Sequence, residues 1–177
     1  HVTKDYGYGR GIFDVSFEIK KGEVFGFLGP NGAGKTTTIR HLMGFSKPHE
    51  GELSINGKDC WKAAAIIKND VGYLPGELAF PKNMTGDQFI KFMAEERQIT
   101  DMTHTKELKT IFELDTSEDI KEMSLGTKRK LAVVTAFMHN PSVLILDEPT
   151  SGLDPVMQER FIQFILNEKA NGKTILL

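Results

Sequence analysis

The chain has 177 residues, with 22 Lys plus Arg against 24 Asp plus Glu, and its net charge of −2 provides no basic surface for nucleic acid. Its one cysteine, Cys60, excludes an intrachain disulfide and a multi-cysteine metal cluster and suits a reducing compartment such as the cytosol. The sequence contains neither an apolar run approaching the about 20 residues that span a membrane nor a recognisable signal peptide.

The N-terminal segments predict strands on both sides of a glycine-rich loop. Residues 14–20 alternate apolar and polar side chains, which is typical of a strand with one solvated face. Residues 23–28 form a short apolar run between glycines, as expected for a buried central strand. Residues 52–55 are followed by Asn56-Gly57, a hairpin turn signal that predicts an antiparallel strand.

The glycine-rich loop, residues 29–36, matches the phosphate-binding pattern GxxxxGK[ST]. Glycines let backbone N–H groups face phosphates, and the helix predicted from about Gly34 to Met43 presents its positive end to them. Lys35 is predicted to contact the β and γ phosphates, and the hydroxyl of Thr36 to ligate Mg²⁺. The predicted nucleotide-binding residues of this loop are Gly29, Pro30, Asn31, Gly32, Ala33, Gly34, Lys35, Thr36 and Thr37.

The middle of the chain is predicted to be helical. A short strand over residues 71–74 is ended by Pro75-Gly76, and from Thr85 to about Ile120 apolar residues recur at spacings of three and four. Ser124 is predicted to open a further helix that ends near Asn140. We therefore expect one domain over residues 1–177, with a core of 1–76 and 141–177 and a helical subdomain of about 77–140.

A second candidate site lies where a continuously apolar run, residues 143–146, is followed by Asp147 and Glu148. This pattern predicts a buried parallel strand with acidic residues at its carboxyl end. In phosphate-loop nucleotidases, a carboxylate at the position of Asp147 holds Mg²⁺. Glu148 is predicted to point the opposite way along an extended backbone and to act as the base that polarises the attacking water.

The acidic pair continues as Pro149-Thr150-Ser151-Gly152-Leu153-Asp154. With the phosphate loop, this run resembles the nucleotide-binding subunit of ATP-binding cassette (ABC) transporters, and the resemblance covers essentially the whole chain. It implies an α/β phosphate-loop NTPase fold with a mixed sheet, N-terminal antiparallel strands and a helical insert. It also implies ATP and Mg²⁺ as cofactors, ATP hydrolysis, and a dimer interface at Ser151, Gly152, Leu153 and Asp154 that links two ATP sites. The apolar stretch at the C-terminus stops at the last residue, so we expect the chain to be C-terminally truncated.

Two further segments carry the resemblance. Tyr6 stands where the family has an aromatic residue that stacks on adenine; Tyr8 is the other candidate, and a strand-edge tyrosine is the alternative. Met123-Ser124-Leu125-Gly126-Thr127 occupies the place of the family's signature motif, with Ser124 and Gly126 retained. The resemblance implies that these two contact the ATP of the partner subunit, whereas an ordinary helix N-cap is the alternative for Ser124. The following Lys-Arg-Lys run is interpreted as a solvated face.

The chain departs from the family's pattern at two places. Gly76 stands where the family has a glutamine that senses Mg²⁺ and water, and either Glu77 or a water molecule is the expected substitute. The family's switch histidine would fall beyond Leu177. The histidines present are not assigned that role or a metal site: His1, His41, His49, His104 and His139.

The resulting hypothesis is an ATPase subunit, paired with an identical or homologous copy and peripheral on the cytoplasmic face of the cell membrane. Its partner would be a membrane permease, and Gly76 with the Ser-Leu-Gly-Thr signature suggests the antibiotic-exporter type with a separate permease. Two alternatives stay open: a soluble ABC ATPase in DNA repair or translation, and a regulatory nucleotide-binding module without turnover. Glu148 argues against the second, because a module without turnover has no use for a base. The transported substrate and its direction are properties of the permease.

Overall fold

Eight strands and six α-helices follow one another along the chain, and the computed structural model describes all of residues 1–177. The strands are β1 Val2–Asp5, β2 Gly11–Val15, β3 Val24–Phe25, β4 Ser54–Ile55, β5 Lys58–Asp59, β6 Val71–Leu74, β7 Val143–Leu146 and β8 Thr174–Leu176. The helices are α1 Lys35–Leu42, α2 Ala64–Asp70, α3 Gly86–Glu96, α4 Thr103–Ile111, α5 Leu125–Phe137 and α6 Pro155–Ala170, with a short 3-10 helix at Ile120–Glu122. None of the helices has both the length and the apolar character needed to cross a membrane.

A parallel sheet in the order β3-β8-β7-β6 forms the centre of the molecule. In β7, Leu144 and Leu146 face the larger apolar cluster, and Ile145 faces the smaller cluster on the other side of the sheet. Because successive side chains of a strand point to opposite faces, a strand covered on both sides must be apolar throughout. The prediction of a buried parallel strand immediately before Asp147 is therefore confirmed.

The antiparallel strands form two separate two-stranded sheets, β1 with β2 and β4 with β5. Asn56 and Gly57 connect β4 to β5 with φ angles of 50° and 74°. A two-residue turn with positive φ at both positions matches the twist of a hairpin, so the Asn-Gly signal was interpreted correctly. Together with the parallel sheet and the helices, these strands confirm the predicted α/β architecture with N-terminal antiparallel strands.

Two strand predictions need correction. The strand predicted over residues 14–20 is observed at 11–15 instead, and it contains Asp14 with a φ of 53° just before its end. The strand predicted over 23–28 is limited to Val24–Phe25, although Phe27 N–H still donates to the carbonyl of Leu177 at 2.6 Å. This strand is half-buried at the edge of the parallel sheet and pairs with β8 alone, so it is not a central strand.

The helices of the middle segment pack with the sheet around one large apolar cluster. Phe164 of α6 contacts Phe137 of α5 and Phe112 at the end of α4, with ring centroids 5.0 and 5.3 Å apart. Side chains from α3, α4 and α5 share this cluster with residues of β6, β7 and β8. The division between a core and a helical subdomain at about residues 77–140 stays a prediction.

Candidate nucleotide-binding site

The loop between β3 and α1 depends on glycines in the left-handed region of backbone conformation. Gly32 has a φ of 84° and Gly34 a φ of 92°, values that side chains disfavour. A Cβ on Gly34 would lie 2.5 Å from Cγ2 of Ile12, so residue 34 has no room for a side chain. Helix α1 then begins without a side-chain cap and without an acidic residue in its first turn. Its first N–H groups are therefore available to an anion.

Lys35 folds its side chain back over this loop. Its Nζ donates to the carbonyl of Gly29 at 2.6 Å and to that of Pro30 at 3.1 Å. The ammonium group is thus held beside the amides of the loop, where the charge of a phosphate would need to be balanced.

The phosphate loop and the acidic strand meet through one hydrogen bond. The hydroxyl of Thr36 donates to Oδ2 of Asp147 at 2.8 Å, although the two residues are 111 positions apart in the sequence. Asp147 is 4% exposed, and its N–H donates to the carbonyl of Leu74 at 2.8 Å, which aligns the ends of β6 and β7. A hydroxyl beside a carboxylate oxygen matches the oxygen ligands that Mg²⁺ prefers, so these residues fit the ion.

Glu148 departs from the backbone conformation that the sequence predicted. Its φ is 48°, in the left-handed region, so residue 148 does not continue the extended strand. The two carboxylates nevertheless have different surroundings, since Asp147 is buried and Glu148 is exposed. An exposed carboxylate next to a buried one is compatible with a base beside a metal ligand.

The loop after β6 approaches Asp147 with its main chain. A Cβ on Gly76 would lie 3.3 Å from both Cγ and Oδ2 of Asp147, so this glycine stands directly against the carboxylate. Glu77 is exposed. Burial raises the pKa of the neighbouring Tyr73, and the charge of Asp147 raises it further, which keeps the phenol neutral.

The signature segment contacts the 151–154 loop of the same chain. Ser124 caps α5 by accepting the N–H of Thr127 at 3.1 Å, so the ordinary capping interaction is present. A Cβ on Gly126 would lie 3.2 Å from the carbonyl oxygen of Gly152. Of the loop itself, Ser151 and Gly152 are exposed, whereas Leu153 is 6% exposed and packs in the large cluster.

The last residue of that loop, Asp154, is the N-cap of α6. Its side chain accepts the N–H of Met157 at 2.9 Å and so caps α6. Of the four residues predicted for a dimer interface, Ser151 and Gly152 are thus exposed to solvent, whereas Leu153 and Asp154 anchor the loop within the chain.

Sequence reasoning missed Arg129. It was interpreted as part of a solvated Lys-Arg-Lys run, but it is only 3% exposed and donates hydrogen bonds to Ser151, Pro75 and Gly76. Helical spacing was a usable signal, because Arg129 lies four residues before Val133 on the buried face of α5.

The two tyrosines proposed for adenine stacking lie in the exposed segment after β1. Tyr6 follows β1, is 51% exposed and has its N–H bonded to the carbonyl of Arg10 at 2.8 Å. Tyr8 is fully exposed with a φ of 55°, so it belongs to a turn and is not a strand-edge residue. No cluster of three or more His, Cys, Asp or Glu side chains suited to a metal is present.

A glycine loop that leads into α1, joined to an acidic residue at the tip of a buried parallel strand, defines a phosphate-loop nucleotide-binding protein. A family model described as ABC transporter matches residues 12–151, well over half of the chain. The chain belongs to the ABC transporter family, as an ATP-binding domain, which confirms the resemblance seen in the sequence.

Curated relatives and solved structures agree with this assignment. The bacitracin transport ATP-binding protein BcrA of Bacillus licheniformis is 37% identical over 157 residues, which cover 88% of this chain and 51% of the relative. The linearmycin resistance ATP-binding protein LnrL of Bacillus subtilis (strain 168) is 32% identical over 181 residues, covering 99% and 58%. A solved structure described as the ATP binding subunit of an ABC transporter is 29% identical with a TM-score of 0.88, and the match covers 99% of this chain and 75% of that one.

The chain spans only part of its curated relatives. It covers 31% of the probable multidrug ABC transporter ATP-binding protein YbhF of Escherichia coli (strain K12), to which it is 33% identical over 99% of its own length. The matched region makes up 31% of YbhF, 51% of BcrA and 58% of LnrL.

Proposed function

We propose that this chain binds Mg-ATP and hydrolyses it to drive a separate membrane permease. The observation that carries the proposal is the 2.8 Å hydrogen bond between Thr36 and Asp147, which joins the phosphate loop to the acidic strand. Hydrolysis requires the phosphate loop and the acidic strand at the same γ-phosphate. The loop holds the triphosphate, and the carboxylates hold its metal ion and polarise the attacking water.

Different residues of the site have different roles in nucleotide binding and hydrolysis. The amides of residues 32–36 and the ammonium of Lys35 hold the β and γ phosphates, and Tyr6 stacks on the adenine. Thr36 and Asp147 would hold Mg²⁺, which supplies charge neutralisation on the phosphate oxygens when bound. Glu148 orients the attacking water in line with the bond to be broken and accepts its proton.

A second ATPase subunit, identical or homologous, is expected to cover the surface formed by Ser124, Gly126, Ser151 and Gly152. These residues are contiguous because Gly126 abuts the carbonyl of Gly152. Two exposed apolar side chains extend the same segments, Leu125 at 62% exposure and Val156 at 67%. Aliphatic side chains beside a serine and two glycines suit close approach to another chain.

The location proposed is the cytoplasmic face of the cell membrane, where the chain would be peripheral and bound to its permease. Two relatives named for bacitracin transport and linearmycin resistance support an antibiotic-exporter type. Their names refer to transport and resistance, so the alternative of a soluble ATPase in DNA repair or translation is not favoured.

The decisive experiment replaces Glu148 with glutamine. We expect Glu148→Gln to lower steady-state ATP turnover by about 100-fold or more, because the amide cannot accept the proton. ATP-dependent dimerisation should persist, since the phosphate-holding residues are untouched. ATP turnover and light scattering with and without ATP measure the two properties.

The matched control is Glu159→Gln, which makes the same change at an exposed position of α6. It should retain parental turnover. Undiminished turnover in Glu148→Gln would contradict the role assigned to this carboxylate.

A further inference from the structure

Arg129 is a buried cation that joins two loops to one helix. It lies in the first part of α5, just after Ser124, and is 3% exposed. Its Nε donates to the carbonyl of Ser151 at 2.9 Å, Nη1 to that of Pro75 at 2.8 Å and Nη2 to that of Gly76 at 2.7 Å. The guanidinium thus donates hydrogen bonds in three different directions, each to a main-chain carbonyl oxygen.

The electrostatic surroundings of Arg129 connect it to the acidic pair. Burial lowers the pKa of its guanidinium, while the negative charges of Glu148 and Asp147 oppose that change. Neither carboxylate forms an ion pair with it within 4.0 Å. An arginine stays protonated under these conditions, so a positive charge is kept close to the two carboxylates without neutralising either by direct contact.

The loops that Arg129 holds are those that flank Asp147. A Cβ on Gly76 would lie 3.3 Å from the Asp147 carboxylate, and Ser151 N–H donates to the carbonyl of Glu148 at 3.1 Å. A movement of α5 would therefore be transmitted through Arg129 to both sides of the acidic pair.

We propose that Arg129 is a positioning residue, which holds the loops at Pro75–Gly76 and Ser151 in place around Asp147 and Glu148 and couples them to α5. The proposal rests on the proposed ATPase function of the same site and adds to it the residue that aligns the carboxylates. Gly76 has no side chain with which to reach the site, so the alignment is made through its carbonyl and the guanidinium. None of the hydrogen bonds of Arg129 reaches the phosphate loop, and the loop is expected to bind nucleotide without it.

The geometry calls for arginine in particular. A guanidinium directs its N–H groups along fixed, separate directions, whereas the three N–H groups of a lysine leave from one atom. Arg129→Lys keeps the charge but cannot span both loops. Arg129→Gln removes the charge as well.

The test compares these two variants with Arg160→Lys in the intact subunit. Arg160 also donates to a carbonyl, that of Ile111 at 2.9 Å, and to Glu113 at 2.7 Å, but it lies on the outer part of α6. For each variant we measure the affinity for a fluorescent ATP analogue, kcat and KM for ATP, and the thermal midpoint. Hydrogen exchange of the amides at 76–78 and 150–153 is measured as well.

We expect kcat to fall about tenfold to hundredfold in both Arg129 variants, as when positioned groups are displaced from their working geometry. Nucleotide affinity should stay within about threefold of the parent, and Arg160→Lys should match the parent in every measurement. Turnover in Arg129→Lys within about twofold of the parent would overturn the proposal. A parallel loss of nucleotide affinity, kcat and thermal midpoint would also overturn it, because such a loss indicates a purely structural residue.

Hydrogen exchange separates this proposal from the ATPase function. Faster exchange in both loops of the Arg129 variants supports positioning even if the parent shows no turnover, and unchanged exchange overturns it. If Arg129→Gln does not fold, Arg129→Lys decides by the same criteria.

Discussion

At the scale of single residues, the absence of a side chain shapes the site at two positions. Gly34 lets the phosphate loop lie against Ile12, and Gly76 lets the loop after β6 lie against Asp147. In both cases a Cβ would approach a neighbouring atom more closely than ordinary packing allows, although only Gly34 has a positive φ. Glycine is therefore required at residue 34, whereas at residue 76 a Cβ would press on the Asp147 carboxylate and displace it slightly.

Replacing Gly34 with alanine should cost more stability than the same change at Gly32. Both residues have positive φ, but a Cβ on Gly32 meets nothing within 4 Å. We expect Gly32→Ala to lower the free energy of unfolding by about 1 kcal/mol from backbone strain, and Gly34→Ala by about 2 kcal/mol more from its clash with Ile12. Urea denaturation measures both values; equal losses would show that Ile12 moves aside without cost.

At the scale of secondary-structure elements, the helix that follows the phosphate loop differs from three helices that begin with side-chain caps, although α2 and α4 also lack such a cap. Helices α3, α5 and α6 begin with side-chain caps from Thr85, Ser124 and Asp154. Helix α1 begins at Gly34 without such a cap. A side-chain cap satisfies orphan N–H groups within the chain, whereas the free N–H groups of α1 can be satisfied by a phosphate.

A pair of cap substitutions tests whether Ser124 does more than cap. Ser124→Ala and Thr85→Ala should each lower the free energy of unfolding by about 1 kcal/mol, because each removes the acceptor for an N–H of the first turn. Only Ser124→Ala should also lower ATP turnover, since only that hydroxyl is expected to reach the nucleotide of a second subunit. Chemical denaturation and turnover are measured on both variants. Parental turnover in Ser124→Ala would leave this serine with the capping role alone.

At the scale of the whole molecule, a half-buried histidine lies where the chain passes from the helical segment back to the parallel sheet. His139 follows α5, and burial lowers its pKa from 6.5 to about 4, with the charge of Arg97 acting in the same direction. The charge of Lys173 adds to the decrease and the charge of Asp70 opposes it, and neither ring nitrogen of His139 has a hydrogen-bond partner. His139 is therefore neutral in the folded protein at neutral pH.

Acid should weaken the fold through His139. Below pH 6.5 the unfolded chain takes up a proton at this histidine before the folded chain does, so stability is lost as pH falls from 6.5 to about 4. The full shift corresponds to about 3 kcal/mol, and partial exposure reduces the expected loss to about 1–2 kcal/mol. His139→Gln should lose correspondingly less stability over this range.

Thermal unfolding at several pH values measures this difference between parent and variant. The exposed His49, replaced by glutamine in the same way, provides the control for the substitution itself. Identical profiles for parent and His139→Gln would contradict a buried neutral histidine.

Local patterns in the sequence predicted much of this structure. The phosphate loop, the Asn56-Gly57 hairpin, the apolar strand before Asp147 and the helix that opens at Ser124 were all recognised, because each depends on residues that are neighbours in the chain. The missed features depend on distant residues. The edge position of β3 depends on its pairing with β8 alone, and the burial of Arg129 on loops far from it in sequence.

Sequence alone determined the family of this protein and predicted the residues that would bind phosphate, because the steric demands of a phosphate loop and of a strand buried on both faces restrict which amino acids can stand there. Only the tertiary structure decided that Thr36 and Asp147 share a hydrogen bond, that Glu148 leaves the extended conformation, and that Arg129 is the buried link between two loops. The hydrogen bonds of Thr36 and Arg129 join segments that the chain brings together only on folding, and local spacing of residues does not specify these partners.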